Sequence, residues 1–289
     1  MAKKPEQPER LWKTPADEAL RWERGTGLRA LDHAATPGWA GKRRDAEELL
    51  AVRAPELADL QERLFAHGRT GGGRSVLLVL QGLDTAGKGG IVRHVVGMVD
   101  PQGVQHTGFG VPTKEEKARG YLWRVRNALP RPGYLGVFDR SHHEQVLVVR
   151  VNRLEPQRTW RKHYRELNEF EAEVAASGTL ILKVALFVSA EEQKKRLAER
   201  LDRPDKHWKY DPGDIDVRSK LPEYLAAYQE MLDRTSTRVA PWYVVPADRK
   251  WYARLAVTEL LTGALRSLDL GWPPATFDVK TEKSRLAAS

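Results

Sequence analysis

The sequence predicts an α/β fold, a parallel sheet covered by helices on both faces, and three observations predict it. Four short apolar runs, Val76 to Gln81, Leu135 to Phe138, Leu180 to Val188 and Trp242 to Val245, read as strands buried on both sides. Helical patterns separate them, at Ile91 to Val99, Lys114 to Leu129, Thr159 to Ala176, Ala190 to Leu201, Leu221 to Thr235 and Trp251 to Leu268. A single glycine-rich loop joins the first strand to the first of these helices.

Taken in order, residues 1–45 are polar, hold Pro5, Pro8, Pro15 and Pro37, and predict an extended arm with one short helix at most. Leu49, Leu57, Leu60 and Leu64 then recur at near-helical spacing, which predicts an amphipathic helix over 45–67, interrupted near Pro55. Arg69 to Arg74 reads as a flexible break, and the tail from Gly271 onward as polar and loose. The expected organisation is an arm and helical extension over 1–70, a core over 71–270 with a lid at about 190–220, and a tail over 271–289. The nine tryptophans fall mostly at helix or strand positions and read as core.

Composition narrows the function classes. With 41% hydrophobic and 30% charged residues, the 289-residue chain is too apolar for disorder and too charged for a membrane protein. No apolar run reaches the ~18 residues of a membrane-spanning helix. The charged start, Met1 to Glu6, does not look like an export signal. The absence of cysteine excludes a disulfide scaffold, a thiolate zinc site and cysteine catalysis. A cytoplasmic location is expected, and the net charge of +9 points to an anionic partner.

The loop, Gly82 to Gly90, reads GLDTAGKGG. Gly82, Gly87 and Lys88 stand in register with G-x-x-x-x-G-K-[ST], directly after a strand and before a helix. Backbone amides over Thr85, Ala86, Gly87, Gly89 and Gly90 would cradle phosphate oxygens, and Lys88 would add a point charge. The competing reading, a glycine-rich turn with no ligand, does not account for the lysine in this context. Gly89 stands where a hydroxyl normally holds Mg²⁺, so the metal needs ligands elsewhere. Asp84 inside the loop is one candidate. Asp139, ending the strand in YLGVFDRS, is the other, because ligands bind at the carboxyl ends of such strands. Arg140 beside it either bridges phosphate oxygens or is simply exposed.

Basic residues extend the pattern. Seven arginines lie between Arg119 and Arg153 against two acids, Asp139 and Glu144. Arg196, Arg200 and Arg203 share one helix face, with Lys206 and Lys209 just past Pro204. Such a run is either a solvated face or the basic lid of a nucleotide kinase. The lid reading makes the whole a P-loop kinase-like three-layer sandwich with a parallel central sheet and a helical lid. His142 and His143 invite a metal or phosphohistidine reading, but the sequence offers neither a partner set.

Four separated segments, GLDTAGKGG, YLWRVRNALPRPGYLGVFDRSHHEQVLVVRV, KHWKYDPGDIDVR and TSTRVAPWYVVPADRKWYARL, together resemble the polyphosphate kinase 2 family over roughly residues 45–270. The resemblance implies a thymidylate-kinase-like fold and Mg²⁺-dependent phosphoryl transfer between inorganic polyphosphate and a nucleotide. It implies Asp84 and Asp139 as organisers of Mg²⁺, and Lys88 and Arg140 as phosphate contacts. It places Arg196, Arg200, Arg203, Lys206 and Lys209 along polyphosphate, and Glu144 near the nucleotide's phosphates in a branch that accepts AMP as well as ADP. His143 and Gln145 depart from that branch, which more often shows Tyr and Asp there. The expected partners are polyphosphate, ADP or ATP, and AMP, with a homo-oligomeric assembly and neither nucleic acid nor membrane. Two other classes share parts of the pattern: an ATP-dependent nucleoside-monophosphate kinase and a nucleic-acid-binding P-loop NTPase. The number of basic residues exceeds what one triphosphate needs, and no aromatic–basic stacking surface is visible for the second.

Overall fold

The computed structural model describes residues 8–289. The charged opening Met1 to Glu6, on which the expectation of no export signal rests, lies outside them, as does the arm's first proline, Pro5. Five strands form one parallel sheet among the described residues: β1 (Ser75–Gln81), β2 (Val104–Gly108), β3 (Leu135–Asp139), β4 (Thr179–Phe187) and β5 (Trp242–Pro246), in the order β2-β3-β1-β4-β5. Twelve α-helices accompany them among these residues. In chain order they are α1 (Ala16–Ala19), α2 (Arg43–Arg69), α3 (Lys88–His94), α4 (Lys114–Ala118), α5 (Tyr121–Asn127) and α6 (Val148–Val151). There follow α7 (Gln157–Ala176), α8 (Ala190–Asp202), α9 (Gly213–Ser219), α10 (Leu221–Thr235), α11 (Lys250–Arg266) and α12 (Val279–Ala287). None is long and apolar enough to cross a membrane.

Alternation along the strands divides the core into two. Val76, Leu78 and Leu80 face the layer that holds α2, α3 and α11, while Leu77 and Val79 face the layer of α7 and α10. Leu182, Val184 and Leu186 of β4 join the first layer, and Ile181, Ala185 and Phe187 the second. The three-layer sandwich follows directly from this period of two.

Several local expectations are corrected. The helix over 45–67 is not interrupted: α2 runs through Pro55, which is exposed, and the carbonyl it leaves unbonded belongs to exposed Ala51, where water can reach it. Buried Leu49, Leu57 and Leu64 hold the helix against the sheet layer. The predicted helix over 114–129 is two, split at Gly120, whose φ of +82° no helix tolerates. Strand β2 was not legible, because as an edge strand it is only partly covered and carries no apolar run. The arm is more anchored than a polar reading predicts. Leu20, Trp22, Leu28 and Trp39 are buried, and the amide of Val244 donates to the Leu20 carbonyl while that of Trp22 donates to Trp242, closing the open edge of β5. The tail holds α12, capped by Asp278 and without a buried residue. Of the tryptophans, Trp208 and Trp272 are exposed rather than core.

The two histidines prove to have partners after all. One oxygen of Glu171 on α7 receives Nε2 of both His142, at 3.1 Å, and His143, at 2.9 Å. Its other oxygen accepts from the Lys183 ammonium at 2.6 Å, which also donates to the Thr235 carbonyl. All four side chains are buried. The ligand atoms of His142, His143 and Glu171 lie within 4.8 Å of one another. The lysine already supplies the cation, however, so the cluster reads as a support under the turn that carries Arg140 and Glu144.

Burial first, and then the neighbouring His142, push the His143 pKa from 6.5 down to about 3. Between those values the unfolded chain binds a proton that the folded chain refuses, so stability rises with pH across that window, by up to ~1.4 kcal/mol per pH unit. Urea unfolding at pH 7 and pH 5 is expected to show this loss on acidification, and His143→Gln is expected to flatten it. Equal pH dependence in the variant would mean that His143 is not held neutral.

Candidate active site

The site is built where β1 and β3 end side by side. Leu80 pairs with Asp139 in the sheet register, so the loop after β1 and the turn after β3 leave from the same edge. Two residues there hold a left-handed backbone without being glycine, Thr85 at φ +66° and Arg140 at φ +64°. Such strain costs on the order of 1–3 kcal/mol each and persists only where surroundings fix it. Gly87 is needed for its φ of +114°, and a Cβ on Gly82 would come within 2.7 Å of the Leu186 carbonyl.

Arg140 reaches across the gap and gives its Nη2 to both oxygens of Asp84, at 2.9 and 3.0 Å. Burial works against the ionised Asp84, but Lys88 and Arg140 more than offset it and hold its pKa below the ordinary value. Lys88 is itself buried, folded back onto the Gly82 and Leu83 carbonyls at 2.7 and 3.3 Å. Burial lowers its pKa, with Asp84, Asp139 and Glu144 acting in the opposite sense.

A cavity of about 680 Å³ opens on this edge. Asp84, Thr85, Ala86, Gly87, Lys88, Gly89, Gly90 and Asp139 line it, together with Arg196, Arg200, Arg203, Lys206 and Lys209 from the lid. The structure thus brings the expected loop, strand-end and lid residues to one place. Gly82, Arg140 and Glu144 lie outside that lining. Glu144 accepts from the Gln81 amide and faces the Arg140 charge, and its pKa is raised by burial.

Arg196 departs from its expected role. It is buried, and its five N–H groups are all taken: Nε by Glu192, Nη1 by the Thr85 and Ala86 carbonyls, Nη2 by the Ala247 and Asp248 carbonyls. It clamps the loop to the segment after β5 and has no donor left for polyphosphate. The other lid cations are held within the lid. Arg200 donates to Asp214 and to the Lys209 carbonyl, Arg203 pairs with Asp205, and Lys206 lies 3.2 Å from the same carboxylate.

Among the cavity residues that escaped the sequence reading are four basic ones, Arg93 and His94 at the end of α3, and Lys250 and Arg254 at the start of α11, and one acid, Glu199 of the lid. The signal was present. Lys250 and Arg254 stand four apart on one helix face just after a strand end, where ligands gather.

The donor set suits a hard divalent cation. Asp84 and Asp139 face the same cavity, and the buried hydroxyl of Thr85 has no partner among the described residues. Asp214 of the lid sits against Asp84, and its pKa is pushed up to about 6 by burial and then by that like charge. Carboxylates crowded this way are what a dication relieves.

Comparison with known proteins places this geometry. Residues 40–270 match the family model described as polyphosphate kinase 2. An AMP/ADP-polyphosphate phosphotransferase from Meiothermus ruber is 46% identical over 254 residues, covering 88% of this chain and 94% of its own. An ADP-polyphosphate phosphotransferase from Rhodopseudomonas palustris is 39% identical over 241 residues, covering 79% and 82%. The crystal structure of polyphosphate kinase 2 from Arthrobacter aurescens TC1 superposes with a TM-score of 0.93 at 48% identity, covering 96% of this chain and 98% of that one.

Replacing the Arg196 fork by a point charge, Arg196→Lys, should orphan several buried carbonyls and lower stability by about 1–3 kcal/mol. Turnover should fall roughly tenfold or more as the loop shifts. Unchanged kcat in a destabilised but folded variant would show that the loop keeps its shape without the clamp.

Proposed function

The chain belongs to the polyphosphate kinase 2 family, and from that premise we propose how its cavity performs phosphoryl transfer between inorganic polyphosphate and nucleotides. The observation that carries the reading is charge. Nine Lys and Arg side chains line the cavity against three carboxylates, Asp84, Asp139 and Glu199, which suits a long polyanion better than a single triphosphate.

Polyphosphate takes the cavity, with its reacting end at the Thr85–Gly90 amides and Lys88. Lys88 leaves the loop carbonyls and turns its ammonium to the phosphates. Asp84 and Asp139 would hold Mg²⁺, which when bound neutralises charge on phosphate oxygens. The nucleotide approaches from the opposite side of the Asp84–Arg140 pair, where Arg140 and Glu144 meet it. Phosphoryl transfer asks little covalent chemistry of the protein; in-line positioning and preorganised charge supply the catalysis. Both ADP and AMP serve as acceptors, as the name of the Meiothermus ruber relative states for that protein. Glu144 cannot contact a bare acceptor phosphate favourably, so it works through Arg140, whose charge it faces.

Product formation from AMP and from ADP, each with polyphosphate or ATP as donor, tests this. Polyphosphate should support transfer to both acceptors. Transfer from ATP alone would instead identify a nucleoside-monophosphate kinase. Lys88→Met should lower kcat about 10²–10³-fold with the fold intact, as expected for removing one charge preorganised at the transferring group. Glu144→Gln should lower AMP turnover more than ADP turnover; equal losses would remove Glu144 from acceptor choice.

A further inference from the structure

Strand β1 ends on a polar side chain at a core position. Leu77 and Val79 face the layer of α7 and α10, and by alternation Gln81 continues that face. It is fully buried. An amide there costs free energy unless each of its groups is bonded, whereas a leucine would extend the apolar run at no such cost. Stability alone does not call for a glutamine.

Its partners fix it in one orientation. The buried Ser141 hydroxyl accepts the His143 amide N–H at 3.2 Å, so its own hydrogen is free to go to Gln81 Oε1, at 3.1 Å. The Gln81 Nε2 is thereby turned to Glu144, to which it donates. The Tyr228 phenol of α10 lies against the same amide. Among the described residues, Gln81 is the one hydrogen-bond donor to the Glu144 carboxylate.

The neutrality of this donor matters. A lysine or arginine at position 81 would neutralise Glu144 and leave nothing for Arg140. The amide fixes the carboxylate and leaves its charge to face the Arg140 guanidinium. Arg140 now rests on Asp84 through Nη2 alone. Once Asp84 turns to a metal, Arg140 loses that partner, and Glu144 is the other carboxylate facing it. ADP brings two phosphates that can themselves draw the guanidinium into place. AMP brings one, so it depends more on a guanidinium aimed beforehand.

We propose that Gln81 is a positioning residue for acceptor choice: by holding Glu144 aimed at Arg140, it keeps the guanidinium ready for an acceptor with a single phosphate. The proposal rests on the reading above, in which Glu144 works through Arg140. It gives the buried Ser141 a part as well, since Ser141 decides which end of the Gln81 amide meets Glu144.

The test measures turnover of AMP and of ADP, with long-chain polyphosphate as donor. It compares wild type, Gln81→Met, Glu144→Gln and the double variant Gln81→Met/Glu144→Gln. Gln81→Met should lower the ratio of AMP to ADP turnover about tenfold, the lower end for one hydrogen bond to a charged group. In the Glu144→Gln background the same change should leave the ratio where Glu144→Gln alone puts it, because nothing remains to be aimed. Ser141→Ala, which frees the amide to turn over, should lower the ratio in the same direction, and it decides the matter if Gln81→Met does not fold. Equal losses on both acceptors, or the same fall in the ratio with and without Glu144, overturn the proposal and leave Gln81 a core amide. A Glu144→Gln variant with an unchanged ratio, or a wild type without AMP turnover, overturns the underlying acceptor reading instead, a separate and recognisable failure.

Discussion

A buried guanidinium holds this site together. Arg196 joins the phosphate loop, through the Thr85 and Ala86 carbonyls, to the segment after β5, through Ala247 and Asp248. Those carbonyls sit at the edge of the sheet, where no strand partner completes their bonding. A single planar fork with five donors satisfies them and fixes the spacing between the loop and the first turn of α11. Thr85 can then hold its left-handed backbone, which turns the loop amides toward the cavity. Because Arg196 also belongs to α8, the lid's first helix is tied to the loop rather than hinged freely from it. Gln193 on the same helix reinforces this by donating to the Asp84 carbonyl while accepting from Arg218.

On that frame, the charged groups are arranged to be rearranged. Asp84 is paired with Arg140, Lys88 rests on loop carbonyls, and the lid cations rest on lid carboxylates. Each of these contacts stands in for one that a phosphate or a metal would make, so these groups keep partners within the fold. At these groups binding exchanges partners instead of burying unpaired charge. The supports beneath do not exchange. Lys183, Glu171, His142 and His143 are buried away from the cavity, and they fix the turn after β3 from behind.

Much of this was legible in the residues. The strands with unbroken apolar runs, the loop with its lysine, and the carboxylate ending β3 are local signals, and the fold places them together because parallel strands end on one edge. What stayed hidden depends on which side of a helix faces inward. Arg196, Arg200 and Arg203 share a face by spacing, but the spacing could not say that the first would be buried against carbonyls and the third exposed. Lys183 was a missed signal of another kind. A lysine inside LILKVALFV demands a buried anion, and Glu171 on α7 supplies it. The anchoring of the arm was hidden because its buried side chains, Ala16, Leu20, Trp22, Leu28 and Trp39, follow no period.

The central claim is that polyphosphate occupies the cavity between loop, lid and α11. A crystal structure with a non-transferable polyphosphate analogue and Mg²⁺ tests it most directly. The account predicts the chain's end at the Thr85–Gly90 amides, with Lys88 turned off the Gly82 carbonyl to meet it, and the remainder running past Arg93 and Arg254. A chain lying instead in the separate basic pocket of about 480 Å³ formed by Arg150, Arg153 and Lys220, with Lys88 still on the loop carbonyls, would contradict it.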